Sequence, residues 1–182
     1  RPQDVGVIPA AAGGPKGLIL GPLDRFLFGQ WLPQSAQPVH LVGASIGAWR
    51  MATACLNAPV AAFERLERDY IAQHYALPPG QKRPTPDQVS EQFAGNLKLF
   101  YGGRITEVLN HPRYRLHIVT SRGRFLLQRD GRLRTPLGYL AAYAINAASR
   151  KALGSWLERV VFSSASPDAD GVTPLPFTTQ DF

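Results

Sequence analysis

The residues best suited to chemistry in this 182-residue chain are a serine and the two glycines that frame it: Gly43-Ala44-Ser45-Ile46-Gly47 fits the pattern Gly-x-Ser-x-Gly. The spacing has a steric meaning. A chain that passes directly from strand to helix forces the serine into a strained backbone, and side chains two residues before and after it would collide. The flanking sequence supplies both elements, because Val39-His40-Leu41-Val42 reads as a buried strand and Ile46 to Asn57 as a helix rich in small residues. Ser45 then stands at a helix amino terminus, where free N–H groups and the helix dipole favour developing negative charge. That is where a nucleophile attacking an acyl carbon belongs. The competing reading is a Gly/Ser turn that only packs a helix on a strand.

A second constellation lies upstream, in Gly13-Gly14-Pro15-Lys16-Gly17, again between an apolar run (Val5 to Pro9) and a helical pattern. Acyl transfer builds charge on a carbonyl oxygen, and preorganised backbone donors aimed at that oxygen stabilise it. Glycine lets backbone approach closely, so Gly13, Gly14, Lys16 and Gly17 are the candidate oxyanion residues; Pro15 has no N–H to give. Neither Gly-x-x-x-x-Gly-Lys-Ser/Thr nor Gly-x-Gly-x-x-Gly is present, which argues against a nucleotide site. A glycine turn with a solvated Lys16 is the structural alternative.

Histidine offers a different base. His74, His111 and His117 follow Ser45, with Asp69 or Asp87 available to orient one of them, so a Ser-His acyltransferase is the second enzymatic reading. None of the three sits in a motif, and structural or solvated roles are the simpler expectation for each.

The elements that must position these groups alternate. After the two strand-to-helix units, Pro59 opens an amphipathic helix through Phe63, Leu66 and Tyr70, and Leu77 to Pro86 reads as an exposed loop. Val89, Phe93, Leu97 and Phe100 mark another helix. From Tyr114, residues Leu116, Ile118 and Thr120 alternate with Arg115, His117 and Val119 as a strand, and Phe125 to Leu127 with an Asp130-Gly131 hairpin turn extends that reading. A helix over Pro136 to Arg150 and a strand at Val160-Val161-Phe162 complete the pattern. The expected fold class is α/β, a mostly parallel sheet with helices on both faces in a three-layer α/β/α sandwich, and such sheets place chemistry at the carboxyl ends of their strands.

With both glycine motifs in this order, one after the first strand and one after the second, the chain resembles the patatin-like phospholipases. The resemblance covers residues 5 to 57. It implies a serine lipid acyl hydrolase, a phospholipase A-type carboxylic ester hydrolase that forms an acyl-enzyme on Ser45 and uses a Ser-Asp dyad with no histidine. It implies lipid or phospholipid ester substrates and no metal or organic cofactor. The family's dyad aspartate lies in an Asp-Gly-Gly or Asp-Gly-Ala motif, absent here; Asp170-Gly171-Val172 is the nearest match and Asp130-Gly131-Arg132 the next. The expectation is a single domain over residues 1–182, truncated at its carboxyl end, with the aspartate beyond Phe182 and little hydrolysis from the fragment alone. A non-catalytic lipid-binding domain is the reading from another class.

Composition is compatible with all of this. Hydrophobic residues make up 45% and charged residues 18%, a balance that excludes intrinsic disorder. One cysteine, Cys55, and four scattered histidines exclude a disulfide scaffold and a structural zinc site, so Cys55 reads as a small core residue and a reduced, cytoplasmic setting is expected. The most apolar run, Gly17 to Leu32, is broken by Asp24 and Arg25 and is too short to cross a bilayer. The net charge of +7 favours anionic partners, and between Arg104 and Arg134 eight arginines oppose only Glu107 and Asp130. This segment could rest peripherally on an anionic membrane, pair with acidic residues elsewhere, or be a solvated strand face. No nucleic-acid module accompanies it, so nucleic acid is not expected as a partner.

Overall fold

A computed structural model describes residues 1–129 and 131–164, and the backbone of Leu175–Pro176. The chain enters a sheet at β1 (Val7–Ala10), which runs parallel to β2 (Val39–Gly43) with Ala10 opposite Gly43. Strand β3 (Tyr114–Gly123) lies parallel to β2. Beyond it, β4 (Leu157–Ser163) is antiparallel to β3, and the two-residue β5 (Leu175–Pro176) is parallel to β4. The spatial order is β1-β2-β3-β4-β5. The fold is therefore α/β with a mostly parallel, open sheet.

The helices between strands follow from local sequence. Helix α1 (Gly21–Phe26) takes Pro22 in its first turn, where a missing N–H costs nothing, and continues as a wider turn over Leu27–Trp31. Helix α2 (Ile46–Ala54) is buried on almost every side, which its small residues permit, whereas α3 (Pro59–Ile71) buries only Ala62, Phe63 and Leu66. Helix α4 (Pro86–Tyr101) begins with a reciprocal cap: Thr85 accepts from the Gln88 N–H while the Gln88 side chain accepts from the Thr85 N–H. It ends at Gly102, where any side chain would strike the Lys98 carbonyl oxygen. A short helix, α5 (Ile105–Leu109), was not signalled by periodicity, and α6 (Arg134–Ala148) precedes β4.

One face of the sheet makes the core. Val39 and Leu41 of β2 with Tyr114 and Leu116 of β3 pack on Phe28 and Leu32 behind α1, on Met51 and Cys55 of α2 and its end, and on Phe63, Phe100 and Val108 of α3, α4 and α5. Strand alternation puts His40, Val42, Arg115 and His117 on the opposite face.

The strand expected at Phe125 to Leu127 is corrected. Phe125–Gln128 forms a 3-10 turn, with Phe125 at φ 54°, that folds back so closely that a side chain on Gly123 would strike the Leu127 carbonyl oxygen. The partner of β3 is β4, not a hairpin through residue 130; Asp130 and Asp170 lie outside the described residues. A short apolar run does not distinguish strand from turn by pattern, and here the tertiary pairing decided it.

Candidate functional site

Ser45 sits between β2 and α2 with φ 53° and ψ −125°, a region that a residue with a Cβ adopts at a cost of about 1–3 kcal/mol. Both glycines of the motif are needed for this. A Cβ on Gly43 would lie 2.6 Å from the Ala48 backbone nitrogen and Cα, and one on Gly47 would strike the Ala10 carbonyl oxygen at the end of β1. Serine is a favoured helix cap, yet the Ser45 side chain makes no capping bond. The residue is exposed, and its hydroxyl is without a hydrogen-bond partner among the described residues. Its carbonyl accepts from the Ala48 N–H at 2.9 Å, so the backbone is engaged while the side chain remains available.

The glycine loop lies beside this turn. Residues Gly14–Leu20 wind as a 3-10 helix opened by Gly14 at φ 56°, a conformation that glycine adopts without strain. A Cβ on Gly17 would lie 2.7 Å from Ile46 Cγ2, so the loop packs directly against the residue that follows Ser45. The winding sorts the candidate donors: the Gly13 and Gly14 amides precede the turn's first internal bond, whereas Lys16 and Gly17 lie within it. Ile46 was not anticipated from sequence. As the first residue of α2 it has an N–H with no helical acceptor, a consequence of its position rather than of its side chain.

Ser45 opens into a cavity of about 320 Å³. Ala48 and Ala52 of α2, Tyr101 of α4, Ile118 of β3 and Phe162 of β4 line it, and among the described residues the lining contains no charged side chain. The Tyr101 hydroxyl is already committed, donating to the Trp49 carbonyl at 3.1 Å and lying 3.1 Å from Thr53 Oγ1, and burial pushes its pKa up. The wall is therefore apolar in effect as well as in composition.

None of the three histidines lines this cavity. His74 and Asp69 share a separate groove of about 510 Å³ between α3 and α4, which does not include Ser45. His111 Nδ1 accepts the N–H groups of Arg113 and Tyr114 at 3.2 and 2.8 Å, and its ring stacks on Tyr114. Burial, then the neighbouring charges of Arg113 and Arg115, push its pKa down to about 4. His117 lies on the far face of the sheet, bonded to His40 at 2.8 Å and to the buried Ser163 hydroxyl at 2.7 Å; burial and the facing His40 lower its pKa. Among the described residues the cavity lining holds no carboxylate either.

Two further groups support the site from behind. Arg50, on α2, donates two hydrogen bonds to Asp24 of α1, at 2.6 and 2.8 Å, with both residues more than 90% buried. The pair ties the helix that follows the glycine loop to the helix that follows Ser45. Arg25 and Glu67 join α1 to α3 at 2.7 Å. Cys55 is fully buried in the core and its thiol pKa is pushed up to about 12 by burial.

The arginine-rich segment is not one ribbon. Arg104 pairs with Glu107 and Arg124 with Glu158, while Arg113 and Arg115 donate to the carbonyls of Leu32 and His111. Much of the local charge excess is thus engaged within the chain. Among the described residues no helix is long and apolar enough to cross a membrane, and no cluster of three metal-ligating side chains occurs. Comparison of the chain with protein-family models, with curated proteins and with solved structures finds no match.

Proposed function

We propose that this chain is a serine acyl hydrolase of the patatin-like kind, a phospholipase A-type esterase acting on lipid or phospholipid esters, on a three-layer α/β/α domain. The observation that carries the reading is the backbone of Ser45: a strained conformation that holds an exposed, uncapped hydroxyl over an apolar cavity. Strain of this order persists only where the surroundings enforce it, and it clusters at reactive sites.

In this reading the Ser45 oxygen attacks the ester carbonyl carbon and its proton passes to an aspartate carboxylate. The carbonyl oxygen, now negative, accepts bonds from the glycine-loop amides and from the Ile46 N–H. Collapse breaks the ester bond, the leaving alcohol takes up the proton, and water then releases the acyl group from Ser45. The aspartate lies outside the described residues, Asp170 being the candidate that this sequence offers. Exposed Ile19, Leu20, Leu23 and Phe26, beside the glycine turn and Lys16, suit peripheral contact with an anionic lipid surface at the cytoplasmic side.

A lipid-binding domain that keeps the fold without a dyad would retain both the cavity and the turn, and the reaction of Ser45 separates it from the hydrolase. A Ser-His acyltransferase receives no support from the histidine positions. The deciding experiment is reaction of the full-length protein with a fluorophosphonate followed by peptide mass spectrometry. Modification of Ser45, absent in Ser45→Ala, is expected; an unmodified Ser45 under conditions that label a control serine hydrolase would overturn the reading.

A further inference from the structure

The cavity has a definite size and direction. Ser45, Ala48 and Ala52 are three and four residues apart, so they share one face of α2, and the cavity follows that face away from the serine. At 1.5 Å per helical residue, the run from Ser45 to Ala52 is about 10 Å long. A volume of about 320 Å³, at roughly 30 Å³ for each water-sized group, accommodates about ten heavy atoms. The two measures agree on a slender occupant.

Its chemistry is equally constrained. With no charge in the lining among the described residues and the Tyr101 hydroxyl already bonded, a phosphate or ammonium headgroup would lose its hydration there without compensation. An alkyl chain would gain roughly four-fold in affinity for each methylene taken from water. We infer that this cavity binds the acyl chain of the substrate, that it selects chains of about eight to ten carbons, and that Ala52, the cavity's α2 residue farthest along the helix from Ser45, sets this length. The inference deepens the hydrolase reading and rests on it only for the identity of the acyl donor; the headgroup stays outside, towards the glycine loop.

Binding tests it without turnover. Affinities of hexanoate, decanoate and hexadecanoate are measured by calorimetry for the wild-type chain, Ala52→Leu and Leu97→Ala. The wild-type chain is expected to bind decanoate most tightly. A leucine at position 52 fills the room of about three carbons, so Ala52→Leu should weaken decanoate roughly ten- to fifty-fold and leave hexanoate within about three-fold. Leu97 of α4 also lines the cavity, so Leu97→Ala, which enlarges it, should move the preference towards hexadecanoate and serves where Ala52→Leu fails to fold. Equal affinities along the series, or both folded variants weakening every chain alike, would overturn the inference. Length-selective binding together with an unlabelled Ser45 would instead leave the cavity assignment standing and remove the hydrolase.

Discussion

Arg50 grips Asp24 through two parallel N–H···O bonds, and the two residues are 6% and 2% exposed. The geometry is a planar fork on a carboxylate, the arrangement in which arginine is least replaceable by lysine. Removing one partner leaves a charge buried and unpaired. Asp24→Ala or Arg50→Ala should therefore cost about 3–5 kcal/mol of stability, measured as a fall in the urea midpoint. Replacing both by leucine and methionine should cost far less, because no charge is then stranded. A single-residue loss below about 1 kcal/mol would mean that the pair contributes little.

The glycines of the serine turn should differ sharply from one in open space. Gly47→Ala places a methyl group against the Ala10 carbonyl, and Gly43→Ala places one against the Ala48 backbone, where neither neighbour is a flexible side chain. Each should destabilise the fold by at least about 2 kcal/mol in thermal or urea unfolding. Gly95→Ala, inside α4, meets nothing within 4 Å and should leave stability unchanged or raised by up to about 1 kcal/mol.

Strain at Ser45 makes its own forecast. Ser45→Ala should abolish any ester hydrolysis while leaving stability nearly unchanged, because alanine inherits the same positive φ. Ser45→Gly should also be inactive but more stable by about 1 kcal/mol, since glycine adopts that backbone freely. Paired unfolding curves for the two variants check this, and equal stabilities would indicate that the turn is not strained.

Acid should weaken the fold through two half-buried imidazoles. Burial, then the charges of Arg113 and Arg115, push the His111 pKa from 6.5 to about 4, and burial with the facing His40 lowers that of His117. Below pH 6.5 the unfolded chain therefore binds more protons than the native one. The stability that each histidine contributes is complete above that value and declines as pH falls towards the native pKa, which for His111 is about 4. Urea midpoints recorded between these limits should fall with acidification. His111→Asn, whose side-chain carbonyl can accept the bonds from the Arg113 and Tyr114 amides, should flatten the fall; an unchanged slope would show that His111 is not its source.

What was legible in the sequence was whatever depends on near neighbours along the chain. The motif at Ser45 states its own sterics because Gly43 and Gly47 act within a few residues, and the alternation from Tyr114 to Thr120 states its own strand. The Asp24–Arg50 pair was illegible: Asp24 registered only as a break in an apolar run, since nothing local announces a partner 26 residues away. Ile46 was missed for the opposite reason, because its part belongs to a backbone N–H that any residue would supply. Phe125 to Leu127 misled because three apolar residues suit a strand and a turn equally, until Gly123 brings the chain back on itself.

The contact between Gly47 and the Ala10 carbonyl, with Ala44 donating to the same oxygen at 3.2 Å, makes the end of β1 a part of the serine turn. A synthetic peptide spanning only β2 and α2 would carry the whole five-residue signature and yet lack the scaffold that bends it. During synthesis the Ser45 hydroxyl thus lacks its exposed turn until two segments some thirty residues apart have zipped together in the correct register, and a slip of one position would leave it so.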